Sequence, residues 1–419
     1  MFKHWVFALL CAGIAFGAAD WTDGVKSGEL FNKDKTETNN KFLAGLRYFK
    51  VDENTCRLSP KTISIGKLNF GEVLIVKNEE GGIHSLRIMV YNKGDDGAIE
   101  KDAFDRKVEE AVAAIDELTG IKGKNKKVNE RDAGLKAKAV EWQHENGVIV
   151  LESASLGGTK KEAFKAEFIR LFIGPDAESI ERGGASDATT RGELRGNIQK
   201  EEDGTVWLKN VPMVDQGQKG YCVPATLARL FAYYGMDGVD QHALAALCNS
   251  KSGSEGGTSL KDMEDAMNAI CRKFHIRVQI IEDYANVVRT TAAPYNKIAK
   301  KENKAPFNEM EPFETADAEV LRQARAGKKA NVDKWLKTIK KSVDTGIPVL
   351  WSVTLGIYQE KIPVPQQRGG HMRMIIGYNL QKRTVIYTDS WGASHEKKEI
   401  DAADAMSMTN SRYILRLSR

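Results

Sequence analysis

The sequence predicts an α+β protein with two separate domains, and three observations support this. The chain has 419 residues, too many for one ordinary hydrophobic core. Its composition, 42% hydrophobic and 28% charged, is that of a folded globular protein. Strand-like and helix-like segments alternate from about residue 41 to 175, whereas helices come first and strands follow from about residue 207 onward. We therefore expect a small α+β domain, then a domain with a helical half and an antiparallel sheet or barrel half.

The first 19 residues are predicted to be a secretory signal that the mature protein lacks. They have a lysine near the start, then an apolar run, then small residues ending at Ala19. The apolar run is too short to span a bilayer as a helix, and no later segment is typical of a membrane span. We therefore expect an exported protein, periplasmic or extracellular, without a membrane-spanning segment.

The charge pattern gives no support for nucleic-acid binding. The formal net charge of +5 is small for 419 residues. The one dense basic run, GIKGKNKKVNERD, is typical of a solvated loop. We therefore expect no nucleic-acid partner.

The region 41–175 is predicted to form the small α+β domain. The runs GEVLIVKN, HSLRIMVYN and AEFIRLFIG have the pattern of strands. The segment DAFDRKVEEAVAAIDELTG has apolar residues at helical spacing, with Gly120 placed to end the helix. The segment AVEWQHENGVIVLES predicts a hairpin that turns at Asn146-Gly147. The histidines of this region have no ligand-type neighbours, so no metal or catalytic site is expected in it.

Residues 176–206 are predicted to be a linker. They are polar, short of large apolar residues and without helical periodicity. Such a segment is exposed and easily cut by proteases. The second domain is therefore expected to cover residues 207–419.

The second domain is predicted to begin with a helix and to end in strands. VPATLARLFAYYGM has an apolar stripe at helical spacing, Pro224 in its first turn and Gly235 just past its end. From GIPVLWSVTLGIY onward the pattern becomes that of strands, with HMRMIIGYN, RTVIYTDSWG and SRYILRLS. The single cysteine Cys222 stands where a glycine-rich loop enters this helix.

Four residues in this domain can supply the parts of a catalytic site built on a thiol nucleophile. A helix N-terminus and a protonated histidine both lower a cysteine pKa, and Cys222 lies at a predicted helix start. His371, which follows two glycines and opens an apolar strand, is the candidate base, and Asp389 at the end of the next strand is its candidate orienting partner. The side chain of Gln216 and the backbone N–H of Cys222 are the candidate oxyanion donors, with Gln218 as an alternative.

The motifs QGQKGYC, GGH and DSWG resemble those of the papain-like cysteine peptidases. Gln216 stands six residues before Cys222, as in that family. His371 follows Cys222 by 149 residues, within the family range of about 130–150. Alone, each residue has an ordinary core or loop explanation, but their joint order and spacing favour a catalytic site. The resemblance covers about residues 207–419 only.

Three positions depart from the usual papain pattern. Lys219 and Val223 stand where the family has a disulfide cysteine and a tryptophan, and Asp389 replaces asparagine. These features are more similar to the bacterial branch, which resembles the bacteriocin-leader (double-glycine) peptidase domains and uses a Cys-His-Asp triad. The resemblance also implies that Trp391 shields the His371–Asp389 bond from water.

The resemblance implies an exported cysteine peptidase that acts on a peptide or protein through a thioester acyl-enzyme. Cys222, His371 and Asp389 form the triad, Gln216 serves the oxyanion hole, and no metal or organic cofactor is needed. The alternatives are a cell-wall amide or isopeptide hydrolase, an acyl transferase on the same triad, or a non-catalytic peptidase-derived binding module. The N-terminal domain is either an accessory module or a pro-region that contacts the peptidase domain.

The cysteine count leaves the disulfide state open. Removal of the signal removes Cys11, which leaves Cys56, Cys222, Cys248 and Cys271. If Cys222 is a working thiol, the other three allow at most one intramolecular disulfide. Cys248 with Cys271 is the natural pair by proximity in sequence, and two buried free cysteines are the alternative.

Overall fold

The computed structural model describes residues 18–31, 41–59, 61–127, 135–177, 190–217, 219–236, 240–251, 257–273 and 276–417. Most of the predicted secretory signal therefore lies outside the described residues. These residues form two units, each around its own buried hydrophobic cluster. Each unit combines helices with a large antiparallel sheet, which confirms the predicted α+β class.

The N-terminal unit consists of ten strands and three helices among the described residues. They are β1 (Ala19–Asp20), α1 (Thr22–Ser27), β2 (Tyr48–Lys50), β3 (Thr55–Leu58), β4 (Ile63–Ser64), β5 (Val73–Lys77), β6 (Ile83–Asn92), α2 (Lys93–Asp96), α3 (Lys101–Thr119), β7 (Lys124–Lys126), β8 (Lys136–His144), β9 (Gly147–Leu156) and β10 (Lys165–Gly174).

Eight of these strands form one antiparallel sheet in the order β2-β3-β5-β6-β10-β9-β8-β7. Helix α3 packs on its face through the predicted apolar stripe, with Phe104 and Ile115 buried. It ends where predicted, at Gly120, whose φ of 73° an L side chain rarely adopts. The predicted hairpin is β8–β9, with the pair His144 and Gly147 closing its turn.

The N-terminal unit begins before residue 41. Trp21, Val25, Leu30 and Phe31 are all buried in its hydrophobic cluster. Strand β1 pairs in parallel with β4. The described chain is therefore packed into the unit from directly after the predicted signal.

The C-terminal unit contains the remaining elements. They are α4 (Arg191–Gly196), β11 (Ile198–Lys200), β12 (Thr205–Leu208), α5 (Cys222–Tyr233), α6 (Gln241–Leu247), α7 (Leu260–Lys273), β13 (Ile276–Glu282), α8 (Tyr284–Lys301), α9 (Ala318–Ala326), α10 (Lys329–Val343), β14 (Val349–Leu355), β15 (Gly369–Asn379), β16 (Thr384–Thr388), β17 (Lys398–Asp401), α11 (Ala402–Met408) and β18 (Thr409–Leu417). The sheet order is β11-β12-β15-β14-β18-β13, with β16 on β15 and β17 on β16.

The second half of the predicted linker is folded in the structure. Residues 178–189 lie outside the described residues, but α4, β11 and β12 belong to the C-terminal unit. Thr190 and Glu193 form a capping box that starts α4, and Leu194 is fully buried in the C-terminal cluster. Strand β12 pairs with β15. The sequence pattern missed these elements because they are short and contain few large apolar residues.

Helix α5 crosses the interior of the C-terminal unit. Nearly all of its side chains are buried, because it packs on both β15 and α6. Pro224 lies in its first turn, where a missing N–H costs no helical hydrogen bond. Gly235 follows its end with a φ of 72°. The predicted helix is therefore confirmed.

None of the four described cysteines forms a disulfide bond. Cys248 and Cys271 are buried, and burial raises the pKa of each thiol to about 12. The structure therefore has the free-cysteine alternative rather than the Cys248–Cys271 disulfide. Among the described residues, no helix combines the length and the apolar character that crossing a bilayer requires.

Candidate active site

Cys222 is the first residue of α5, so the predicted nucleophile lies at a helix N-terminus. Its side chain is half-buried. Burial alone would raise the pKa of the Cys222 thiol, but the influence of the His371 ring outweighs burial and lowers it. The backbone N–H groups of Met372 and Val223 lower this pKa further. The surroundings of the sulfur therefore favour the thiolate.

His371 lies on β15, in a central position of the sheet. Its strand pairs with β14, where His371 is opposite Val353. Thr226 on α5 donates a hydrogen bond of 3.1 Å to the carbonyl of Met372. This bond links the helix of Cys222 to the residue next to His371, so it fixes the distance between nucleophile and base.

The ring of His371 uses its two nitrogens differently. Nε2 lies 3.1 Å from Oδ1 of Asp389, and neither side chain is exposed. Nδ1 is buried and has no hydrogen-bond partner among the described residues, which leaves it for the Cys222 thiol. Burial lowers the pKa of His371, but Asp389 and Cys222 outweigh this and raise it. A raised histidine pKa and a lowered cysteine pKa together favour a thiolate–imidazolium pair.

Asp389 directly follows β16, which is the antiparallel neighbour of β15. This adjacency is the arrangement that the sequence predicts for His371 and Asp389. The backbone N–H of Asp389 donates to the carbonyl of His395 at 3.0 Å, which closes the turn after the strand. Trp391 stacks on the His371 ring with 4.2 Å between centroids and 7° between planes. It therefore covers one face of the imidazole.

Asp389 also belongs to a buried group of four charges, which we call the ionic quartet: Asp389, Glu360, Arg373 and Lys398. Arg373 donates to Asp389 from Nε at 2.9 Å and from Nη2 at 3.1 Å, and Lys398 donates to it at 3.1 Å. Glu360 accepts from Arg373 Nη1 at 3.0 Å and from Lys398 at 2.8 Å. All four side chains are at most 4% exposed. The positive charges of the two cations therefore cancel the negative charges of the two carboxylates.

The ionic quartet determines the charge of Asp389. Burial would raise the pKa of this carboxyl, but Arg373, His371 and Lys398 outweigh burial and hold it far below its usual range. Asp389 is therefore a carboxylate at any pH near neutrality. Sequence analysis missed the other three members. The only available signal was charged residues inside otherwise apolar strand segments, such as Arg373 in HMRMIIGYN.

Gln216 is buried in the loop before Cys222, and its amide is held at both ends. Its Oε1 accepts from Oγ of Ser390 at 2.7 Å, and its Nε2 donates to the carbonyl of Lys219 at 3.1 Å. Its backbone N–H donates to the carbonyl of Ser390 at 2.9 Å. These bonds fix which way the NH₂ group points. The alternative donor, Gln218, lies outside the described residues.

Arg229 connects α5, which begins at Cys222, to the strand end that carries Asp389. It lies on α5 and is only 1% exposed. It donates to the carbonyl of Asp389 at 2.7 Å, to Oγ1 of Thr388 at 2.6 Å and to the carbonyl of Pro212 at 2.7 Å. Burial lowers its pKa to about 10, which still leaves it charged at neutral pH. Sequence analysis also missed this residue, although a lone arginine in an apolar helix was a signal.

The described residues contain no group of three or more His, Cys, Asp or Glu side chains placed to hold a metal ion. The chemistry of this site comes from the thiol, the imidazole, the carboxylate and the amide donors. Such a set can attack an acyl carbon and stabilise the resulting oxyanion.

Comparisons with known proteins agree with the fold of the C-terminal unit. Residues 208–416 match the model of the Peptidase_C39 like family. Among solved structures, a similar chain is xylellain, a cysteine protease from Xylella fastidiosa, with 10% identity and a TM-score of 0.29 over 57% of this chain and 92% of that chain. A likeness of that size carries no argument about activity. No curated protein matches this chain. The family match over residues 208–416 agrees with the papain-like resemblance that the sequence has over about residues 207–419.

Proposed function

We propose that this protein is a cysteine peptidase that hydrolyses peptide bonds through a thioester acyl-enzyme. The observation that carries the proposal is one continuous contact series. The His371 ring acts on the Cys222 thiol at the head of α5 and lowers its pKa, and Nε2 of the same ring lies 3.1 Å from the Asp389 carboxylate. The family match over residues 208–416 supports the same chemistry.

In the first half-reaction, the thiolate sulfur of Cys222 attacks the carbonyl carbon of the substrate. The negative charge that forms on the carbonyl oxygen is stabilised by the NH₂ group of Gln216 and the backbone N–H of Cys222. The C–N bond then breaks, and His371 gives its proton to the leaving amine. The acyl group remains on sulfur as a thioester.

In the second half-reaction, His371 removes a proton from water, which attacks the thioester carbon. The same donors stabilise the second oxyanion, and the C–S bond breaks to give the carboxylic acid product. Cys222 then returns to the thiolate paired with protonated His371. Asp389 keeps the ring in place throughout, because its carboxylate accepts from Nε2 in both half-reactions.

The reactivity of Cys222 tests this proposal. Iodoacetamide labelling of the folded protein is followed by peptide mass analysis between pH 4 and 9, for the wild type and for His371→Ala. We expect Cys222 to label rapidly well below the free-thiol pKa of about 8.5, and His371→Ala to abolish this. The Cys248→Ala variant is the matched control, because it removes a buried thiol and should keep the wild-type profile. An ordinary thiol titration that is independent of His371 would overturn the proposal and favour a binding module.

Product analysis then shows whether water or an amine attacks the thioester. A peptide library is incubated with the wild type in ¹⁸O-labelled water that also contains a primary amine. Hydrolysis gives a new carboxyl group carrying ¹⁸O, and the Cys222→Ala variant gives none. If the new carbonyl carries the amine instead, the protein is an acyl transferase on the same triad.

Export is the remaining part of the proposed function. The predicted signal ends at Ala19, and Ala19 begins β1. We expect secreted or periplasmic protein to begin within a few residues of Ala19 when its N-terminus is sequenced. Recovery of chains that retain residues 1–17 in the cytoplasm would contradict export.

A further inference from the structure

The N-terminal unit contacts the loop that carries the candidate oxyanion donor. We call residues 215–221, of which 218 lies outside the described part, the oxyanion loop. Gln216 lies near the start of this loop, and Cys222 follows its end. The side chains of Asp215, Lys219 and Tyr221, which flank these two residues, all reach residues of the N-terminal unit.

Lys219 makes the most deeply buried of these contacts. Its ammonium lies 2.7 Å from Oε2 of Glu72 and 3.2 Å from Oδ2 of Asp95, and its side chain is 1% exposed. Burial lowers the pKa of Lys219, but the two carboxylates outweigh burial and raise it, so the amine is charged. The carbonyl of the same residue accepts the Nε2 hydrogen bond of Gln216. One residue therefore joins the N-terminal unit to the oxyanion amide.

Asp215 makes the second contact, on the other side of Gln216. Its Oδ2 accepts from Nε of Arg57 at 2.8 Å, and its Oδ1 accepts from the N–H of Gly217 at 2.9 Å. Gly217 has a φ of 66°, and a Cβ added there would lie 3.4 Å from Oε2 of Glu72. The left-handed turn at Gly217 therefore lies close to Glu72 of the N-terminal unit.

Tyr221 makes the third contact, directly before Cys222. It is the N-cap residue of α5, and its side chain is buried. Its ring lies against Gly94 of the N-terminal unit, where an added Cβ would come within 2.6 Å of the ring. The Tyr221 ring also packs edge-on against the ring of His242, with 5.7 Å between the ring centroids. The first turn of the nucleophile helix is therefore packed on α2 of the N-terminal unit.

The opposite loop of the site is contacted as well. Gly392 follows Trp391, which stacks on His371. A Cβ at Gly392 would overlap the ring of Phe49 and would lie 2.9 Å from the carbonyl of Lys50, both on β2. The N-terminal unit therefore packs against the oxyanion loop and against the loop after β16, which the Ser390–Gln216 hydrogen bond links.

We propose that the N-terminal unit is a permanent part of the catalytic machinery, in which Glu72 and Asp95 act through Lys219 as positioning residues for Gln216. The inference rests on the proposed peptidase function. Lys219 stands where papain-like enzymes have the cysteine of a disulfide beside the active site, so a buried ion pair between the two units provides the constraint here. Removal of the N-terminal unit would take away both carboxylates that hold the Lys219 ammonium, and with them this constraint on the oxyanion loop.

The test compares two reactions of Cys222. Alkylation by iodoacetamide forms no oxyanion, whereas acylation by p-nitrophenyl acetate passes through one and releases nitrophenolate. For Glu72→Gln we expect the acylation rate to fall by about tenfold, a part of the effect of losing an oxyanion donor. The alkylation rate and its pH profile should stay at the wild-type values. A purely structural role for Glu72 would change both reactions together or neither.

Further variants keep the test decisive. Asp95→Asn removes the more exposed carboxylate and should give a smaller loss in the same direction. Lys219→Met should lower acylation as Glu72→Gln does, and the double variant should lose no more than either, because both act through one contact. Glu80→Gln, at an exposed carboxylate of the same unit, is the matched control and should react as the wild type does.

Three outcomes overturn the inference. They are unchanged acylation in Glu72→Gln, an equal fall in both reactions, and a rise in both reactions, the last of which would indicate a pro-region that covers the site. Failure of the proposed function is distinguishable from these, because it would remove the low-pH alkylation of Cys222 in the wild type itself.

Discussion

Nε2 of His371 lies 3.1 Å from a carboxylate oxygen of Asp389 that also accepts a 2.9 Å hydrogen bond from Nε of Arg373. The orienting partner of the imidazole is therefore a carboxylate whose charge is already offset by a buried guanidinium. A neutral asparagine, as in the usual papain pattern, would leave Arg373 and Lys398 facing only Glu360. The replacement of asparagine by aspartate and the ionic quartet thus depend on each other.

The first prediction concerns charge balance at Asp389. Asp389→Asn keeps a hydrogen-bond acceptor for His371 but leaves one uncompensated positive charge in the ionic quartet. This charge disfavours the imidazolium that stabilises the thiolate, so we expect the onset of rapid Cys222 alkylation to move to higher pH. Because a buried charge has lost its partner, the free energy of unfolding should also fall by about 3 kcal/mol. The two measurements are alkylation rate against pH and urea unfolding.

A compensating variant controls this prediction. Asp389→Asn combined with Lys398→Met restores the balance of charges, and we expect it to recover much of the lost stability and to shift the alkylation profile back. If the double variant is less stable than Asp389→Asn alone, the charge-balance explanation is wrong.

The second prediction concerns Ser390, which holds Oε1 of Gln216. Gln216→Ala removes the proposed oxyanion donor and should lower acylation by p-nitrophenyl acetate by about 10²–10³-fold. Ser390→Ala leaves the donor but frees its amide to rotate, so the loss should be smaller, on the order of tenfold. Neither variant should change iodoacetamide labelling of Cys222, because that reaction forms no oxyanion. Equal acylation rates for Ser390→Ala and the wild type would show that Lys219 alone holds the amide.

The third prediction concerns Arg229, whose guanidinium donates to Pro212, Thr388 and Asp389. Arg229→Met leaves these three acceptors without their donor in a buried site, and each such loss costs about 1–3 kcal/mol. We therefore expect the free energy of unfolding to fall by roughly 3 kcal/mol or more in urea. Arg289→Met replaces an exposed arginine on α8 and should unfold close to the wild-type midpoint. A stability of Arg229→Met equal to that of this control would contradict the assigned role.

The sequence predicted the elements of the fold whose signals are local. The apolar stripe of α3, the glycine after α5 and the Asn-Gly signal of the β8–β9 hairpin each depend only on residues close together in the chain. Helix α4 and strand β12 were missed because their stability comes from partners far along the chain. Leu194 of α4 is buried in the C-terminal cluster, and β12 pairs with β15, which lies more than 160 residues further along the chain.

The candidate site likewise contains residues that the sequence could identify and residues that it could not. Cys222, His371, Asp389 and Gln216 stand in recognisable local motifs, so sequence spacing was enough to single them out. Glu360, Lys398 and Arg229 have no motif, and their roles arise only when the fold brings them to Asp389. Likewise, nothing in the sequence pairs Glu72 with Lys219, which are 147 positions apart.

The last prediction concerns His242, a buried histidine between the two units. Its ring faces Tyr221 and Phe168, and Nδ1 has no hydrogen-bond partner among the described residues. Burial, together with the charges of Lys219 and Arg170, lowers its pKa to about 3 against the opposing charges of Asp240 and Asp95. The folded protein therefore keeps this ring neutral at any pH above about 3, whereas the unfolded chain protonates it near pH 6.5.

The sign of the pH dependence follows from that difference. Below pH 6.5 the unfolded state binds a proton that the folded state does not, so stability falls as the pH falls from 6.5 towards 3. The contribution of His242 at pH 5 is a loss of about 2 kcal/mol relative to pH 7.5. We expect His242→Phe, which fills the aromatic contact without a titrating group, to lose less stability than the wild type between these two pH values in urea unfolding. His144→Gln, at a half-buried histidine of the N-terminal unit, should change this difference much less. If His242→Phe loses as much stability between pH 7.5 and 5 as the wild type, another group is responsible for the acid sensitivity of the interface.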